Sequence, residues 1–168
     1  GGYSRIMDKN QLYRRIPKVD VLLEDGTIER WAAEDLDLSY RHSRMMEEQA
    51  IVLRTMLKLH PQDAKEIKAE MDDYRARRQE KQPLEYPSAG STFKRPEGYF
   101  AGKLIMDAGL AGYRVGDAAV SEKHCGFVVN LGQATAAEIR QLMQDVSDRV
   151  YDKFGVTLEP EVRFVGRF

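Results

Sequence analysis

Cysteine occurs once in the 168 residues, at Cys125, so the chain cannot close a disulfide on itself. That excludes the small disulfide-stapled scaffolds of secreted proteins and fits a reducing compartment. Neither sign of charge dominates: 26 basic side chains stand against 27 acidic ones, for a net charge of −1. Such a balance makes none of the field that gathers nucleic acid phosphates or an anionic membrane, so neither is expected as a partner. No apolar run approaches the ~20 residues that cross a bilayer. No signal peptide opens the chain, and the expectation is a soluble, cytoplasmic protein. The dinucleotide fingerprint G-x-G-x-x-G, the P-loop, H-E-x-x-H and C-x-x-C are all missing, so common nucleotide and metal sites have no support. The first residues, "GGYSRIMDKNQLYRR", lack an initiating Met, a hydrophobic period and a capped helix, and residues 1–18 read as cut or rebuilt.

What is present is a mixed pattern over a composition 42% hydrophobic, enough for a core. Asp25-Gly26 sits between two runs of β-formers and predicts a hairpin with strands at 19–24 and 27–32. "AIVLRTMLKLH" alternates and predicts a strand with one face better buried. Residues 61–82 predict a charged helix with a narrow apolar stripe of Ala64, Ile67, Met71 and Tyr74, stopped by Pro83. Arg75, Arg77 and Arg78 near its end read as a phosphate grip or as a solvated helix end, the second being the commoner arrangement. "GYFAGKLIMDAGL" predicts a short helix with Phe100, Leu104 and Ala108 on one face and a stop at Gly109. "YRVGDAAVS" and "HCGFVVNL" predict two strands, the second central in its sheet. Thr135 and Glu138 form a capping box that opens a helix with Ile139, Leu142, Met143, Val146, Val150 and Phe154 on one face, ending at Gly155. "VTLEPEVRFVG" predicts extended chain broken at Pro160. Strands and helices mix without regular alternation, so the fold class expected is α+β.

"PSAGSTFKRPEG", residues 87–98, carries too much Gly and Pro for a packed element, and its Phe93 has no use in a linker. It predicts a shaped loop. His42, His60 and His124 are scattered and read as structural, although His124, beside Lys123 and the central strand, could face a site. Cys125 reads as a small buried hydrophobe. Ser91 lacks the G-x-S-x-G setting of a hydrolase nucleophile. Glu161, between Pro160 and an apolar strand, either reaches solvent or pairs with a cation such as Arg163.

Taken together, "YRHSR", "QPLEYPSAGSTFKRPEGYFAGKLI", "GYRVGDAAVSEKHCGFVVN" and "LEPEVRFVG" occur in an order and at spacings that resemble the C-terminal half of the UDP-N-acetylenolpyruvoylglucosamine reductase family. The resemblance runs from about Val19 to Gly166 and is densest from Gln82 to Asn130. It is to the shorter, type II form, because "MLKLHP" leads straight into the charged helix without a tyrosine-bearing insertion. The resemblance implies residues 1–60 as a remnant of a FAD-binding domain, with 1–18 atypical, and residues 61–168 as a C-terminal substrate-binding domain. It implies a bacterial, cytoplasmic flavoenzyme of peptidoglycan synthesis, with FAD as cofactor and NADPH as co-substrate, that reduces the enolpyruvyl group of a UDP-sugar. Matching motifs imply catalytic roles for Arg41, Ser91 and Glu161: the serine protonates carbon, while the arginine and the glutamate stabilise an enol-like intermediate. At Arg41 the motif departs from the family, because His42 stands where Asp or Asn is usual. Tyr40, Lys94, Arg95, Lys103, Lys123, His124, Asn130 and Arg163 are implied in substrate binding, with Lys94 and Arg95 equally compatible with solvation. Ser88 and Gly90 are implied near the cofactor. The family's flavin-binding Gly-Asn-Gly-Ser loop has no counterpart in the chain, so the missing FAD-binding half, or self-association, is the expected partner. A non-catalytic UDP-sugar binding module and an α+β interaction protein are the alternative readings.

Overall fold

Asp25-Gly26 turns the chain as its sequence predicts. In the structure, a computed structural model that describes residues 15–39, 41–59 and 61–166, Gly26 takes φ +85°, a conformation a side chain would resist. The Asp25 carboxylate accepts the Thr27 N–H at 2.8 Å. Strands β1 (Lys18–Leu22) and β2 (Ile28–Ala32) pair antiparallel, with Val19 opposite Trp31 and Asp20 opposite Arg30. A 3₁₀ turn (Ala33–Leu36) and a one-turn helix α1 (Arg44–Glu47) lead to β3 (Ile51–Met56), which pairs with the other edge of β1. The sheet order is β2-β1-β3.

This sheet belongs to the first of two compact units, Gly1–Ala64 and Lys65–Phe168. Its core is small: Val19, Val21, Trp31 and Leu36. At the central strand Asp20 takes two hydrogen bonds from Arg30, at 2.6 and 3.1 Å, and the guanidinium holds its carboxyl below the usual range. All six residues of β3 are exposed, which corrects the expectation that one of its faces is buried. Alternation marks which residues share a face, but not whether anything lies against it.

The charged helix forms as α2 (Ala64–Lys81) and ends before the buried Pro83. None of its residues is buried, and its stripe of Ile67, Met71 and Tyr74 faces solvent. Ion pairs one turn apart, Lys68–Asp72 and Arg77–Asp73, both at 2.7 Å, support it along its own length, each contributing about 0.2–0.5 kcal/mol. Arg77 and Arg78 are engaged within the helix, with Asp73 and Gln82.

The second unit is built on β4 (Ser88–Ser91), β5 (Arg114–Val115), β6 (Ala118–Val120) and β7 (Phe127–Asn130), antiparallel in the order β4-β7-β6-β5. The strand predicted in "YRVGDAAVS" is thus a tight hairpin of two, and "FVVN" is central as expected. Helices α3 (Ala101–Asp107) and α4 (Ala136–Phe154) share the unit's main core with Val120 and Val128. Thr135 caps α4 through the predicted box: its hydroxyl accepts the Glu138 N–H at 3.2 Å, while the Glu138 carboxylate accepts the Thr135 N–H at 2.7 Å. Leu142, Val146 and Val150 are fully buried, and Gly155 closes the helix in the left-handed region. In α3 the buried face is Ala101, Leu104 and Ile105, whereas the predicted Phe100 is the exposed residue before the first turn. The rest of the predicted face holds, with Leu104 buried and Ala108 packed against the core. The mixed, antiparallel α+β class stands.

Candidate active site

The stretch predicted as a shaped loop is partly a strand. Ser88 lies opposite Val129 and Ser91 opposite Phe127, with an irregularity between them where Gly90 takes φ +84°. A Cβ at Gly90 would meet nothing within 4 Å, so its conformation rather than crowding calls for glycine. Beyond the bulge Thr92 is buried. Its N–H donates to the Gly126 carbonyl at 2.8 Å, and its hydroxyl accepts the Val128 N–H at 2.9 Å, taking the place of a backbone carbonyl.

Thr92 then reaches the end of the chain. Its carbonyl accepts the Glu161 N–H at 2.9 Å, Phe93 bridges Pro160, and the Lys94 N–H donates to the Glu159 carbonyl at 2.8 Å. An ion pair between Lys94 and Glu159, at 3.0 Å, closes the same pairing. Glu161 is thereby tied by one backbone hydrogen bond to the residue that follows Ser91. Ser91 is exposed and Glu161 half-buried, so an alcohol and a carboxyl group sit on adjoining backbone that the central strand anchors. The extended C-terminal segment predicted from residue 156 onward is realised only at this bridge, with Val162 against the core and Phe164 exposed.

The other candidates are placed as follows. Arg41, in the first unit, has φ +58° in a turn where Ser39 and His42 exchange backbone hydrogen bonds of 3.2 and 3.3 Å. A non-glycine residue held there costs of order 1–3 kcal/mol, the kind of strain that gathers at functional sites. His42 hydrogen-bonds Asp37 at 3.0 Å. Tyr40 and His60 lie outside the described residues. Arg95 stacks on Phe100 at 4.0 Å and donates to the Tyr99 carbonyl. Lys103 pairs with Asp107 at 2.8 Å, and Lys123 with Glu85 at 3.6 Å. The Asn130 side-chain Oδ1 accepts the Gly132 and Ala134 N–H groups, so it shapes the turn after β7. Ser88 accepts the Gly90 N–H at 3.4 Å, and Arg163 is exposed.

His124 is half-buried, edge-on to Phe127, and its Nδ1 accepts the Gly126 N–H at 3.1 Å. Burial pushes its pKa down, and the hydrogen bond leaves the proton of the neutral ring on Nε2. Burial pushes the Cys125 thiol up, which suits the small hydrophobe that was expected. Among the described residues no group of three or more His, Cys, Asp or Glu is placed to hold a metal. Thr92 is the residue that sequence reasoning missed, and no signal pointed to it: the partner of its hydroxyl is 36 positions away.

Comparison with known proteins shows the family. The model of the UDP-N-acetylenolpyruvoylglucosamine reductase C-terminal domain matches residues 82–165. A reductase of that name from Agathobacter rectalis is 62% identical over 148 residues, covering 88% of this chain and 47% of the relative. One from Lachnoclostridium phytofermentans is 55% identical over 151 residues, covering 90% and 49%. The crystal structure of UDP-N-acetylenolpyruvylglucosamine reductase from Thermus caldophilus matches with a TM-score of 0.74 at 37% identity, covering 90% of this chain and 54% of that one. The chain belongs to the UDP-N-acetylenolpyruvoylglucosamine reductase family, and it spans about half the length of the curated relatives it matches.

Proposed function

We propose that this chain is the substrate-side portion of a NADPH-dependent flavoenzyme that reduces UDP-N-acetylglucosamine enolpyruvate to UDP-N-acetylmuramate in peptidoglycan synthesis, and that it does not turn over alone. The observation that carries this reading is the pairing of residues 92–94 with 159–161, which brings Ser91 and Glu161 onto adjoining backbone. In this reading residues 1–60 are a piece of the flavin domain and residues 61–168 the substrate domain.

Reduction of the enolpyruvyl double bond adds a hydride to one carbon and a proton to its neighbour. The proton is the part this chain can supply. A serine hydroxyl is a poor acid, so Ser91 needs a fixed position and nearby groups that stabilise the alkoxide it leaves. Thr92 fixes the backbone, and in this reading the Glu161 carboxyl stabilises the intermediate. Arg41 offers a planar guanidinium for two parallel hydrogen bonds to the substrate carboxylate, on which charge grows as the hydride arrives. For FAD itself the fit is incomplete. Ser88 and Gly90 lie on the outer strand β4, but among the described residues no glycine-rich loop of consecutive amides cradles a diphosphate.

The test is made in the chain fused, in the relative's order, to that part of the Agathobacter rectalis protein outside the matched 148 residues. Ser91→Ala is expected to lower turnover by about 10²–10⁴-fold while NADPH still bleaches the flavin at the parent rate. Full turnover in that variant overturns the reading. The unfused chain is expected to show no visible flavin absorption after purification.

A further inference from the structure

Helix α4 and the C-terminal segment do not close on each other completely. Between them lies a cleft of about 290 Å³, near the lower end of the range that ligand clefts occupy. Phe93, Met143 and Leu158, all buried, make its apolar floor, and the exposed Phe164 and Arg140 stand at its mouth. Ser91, Thr92 and Glu161 do not line it, so it is distinct from the candidate active site. Two of its polar side chains are engaged within the unit: the Ser147 hydroxyl donates to the Leu158 carbonyl at 3.4 Å, and the Gln144 amide donates to Asp148 at 2.8 Å. Arg140 differs from both. Among the described residues its guanidinium has no carboxylate partner, and its contact is the Phe164 ring at 5.8 Å, close to the limit of about 6 Å for attraction of a cation to a ring.

The lining selects the occupant. Two aromatic rings and a methionine thioether favour a ring over a flexible chain, and an apolar floor excludes a body that carries charge throughout. A guanidinium at the mouth matches one carboxylate. Asp148 is eight residues along α4 from Arg140, about 12 Å at the helical rise, so a negative charge is favoured at the Arg140 end of the cleft. We propose that this cleft is a binding site for a small aromatic carboxylate, its ring against Phe93, Met143 and Leu158 and its carboxylate on Arg140. The site stands apart from the reductase reading, because every residue that lines it belongs to the second unit. It bears on that reading through one wall. Phe93 and Pro160, which line the cleft, are also the bridge of the pairing in which Glu161 donates to the Thr92 carbonyl. An occupant therefore packs against the pairing that ties Glu161 to the residue after Ser91.

Phenylacetate is the probe, titrated into the full chain with its methionine methyl groups labelled for NMR. The Met143 methyl signal, assigned by its loss in Met143→Leu, is expected to shift and saturate with a Kd of about 1 mM, the level that about ten non-hydrogen atoms reach. The signal of Met106, exposed on α3, is expected to stay in place. Phenylacetamide, which has the same shape without the charge, and Arg140→Gln with phenylacetate are each expected to bind roughly 5-fold more weakly, the worth of one solvent-exposed ion pair. Arg140 is exposed, so its replacement leaves the core alone, and an unchanged methionine spectrum of the free variant checks that. No saturating shift at Met143 overturns the proposal, as does a shift of Met143 and Met106 with one midpoint, which marks weak binding over the whole surface. Equal affinity for the amide, or for the Arg140→Gln chain, overturns it as well. Hydrogen exchange of the Glu161 amide, expected to slow about 3-fold when most of the chain is occupied (the retardation follows the bound fraction), reports on the shared wall. An unchanged rate there breaks the link between the cleft and the pairing, and the activity of the fused enzyme enters none of these outcomes.

Discussion

Strand β3 and helix α4 carry equally plain hydrophobic patterns, yet one buries nothing and the other buries Leu142, Met143, Val146 and Val150. Their difference lies in what each unit contains. In the second unit α4 shares a continuous core with Phe93, Ile105, Val120, Val128 and Leu158 from α3, the sheet and the C-terminal segment. In the first unit one short core under β1 and β2 is all the described residues assemble, and β3 stands at its margin. Amphipathic patterning states that an element needs a partner. Its partner can lie elsewhere in the same unit or in polypeptide beyond it.

Substitutions can break or sharpen this contrast. The largest effect is expected from Leu142→Ala, which empties a fully buried position and should cost about 2–5 kcal/mol. Helix loss followed by circular dichroism during urea unfolding measures it. The single tryptophan, Trp31, belongs to the first unit, so its fluorescence transition should stay where it was. Movement of both transitions together would mean that the units unfold as one. Next is Thr135→Ala, which removes the α4 cap at a cost of about 1 kcal/mol, read by the same dichroism.

A smaller, pH-dependent effect is expected from His124. Burial lowers its pKa below the ordinary 6.5, and its Nδ1 accepts a hydrogen bond only while the ring is neutral. Between that value and the lower folded one the unfolded chain binds more protons. The contribution is therefore complete above about pH 6.5 and is lost as pH falls through the folded pKa. His124→Gln should flatten the part of the stability profile that lies below about pH 6.5. Smallest is Leu53→Ala on β3, within about 0.5 kcal/mol of the parent in the unfused chain. A loss as large as that at Leu142 would show that β3 has a cover of its own, ending the contrast between the two elements.

Much of this was legible in the sequence because the signals were local. Asp25-Gly26, the Thr135–Glu138 box, Gly155 and Pro83 each settle a turn or a terminus through a few neighbouring atoms, and each appears where the residues ask for it. Ser91 and Glu161 were legible as candidates through motif order. The tie of Glu161 to the backbone beside Ser91 was not, since it depends on Thr92, whose carbonyl and hydroxyl join three separated segments. The turn of Arg41 was equally hidden: a left-handed arginine carries no mark in the residue string. In α3 the sequence placed the helix and, with Leu104 and Ala108, most of its inner face, but not Phe100, which falls before the first turn and is exposed.

The sequence by itself determined where the chain turns, where helices start and stop, and which family it belongs to, because these depend on local conformational preference or on ordered motifs. Only the tertiary structure decided that Ser88–Ser91 is a strand, that Thr92 couples Ser91 to Glu161, and that β3 and α2 stay uncovered. Those outcomes depend on which distant groups share a hydrogen bond or exclude water from one another, and spacing along the chain does not encode that.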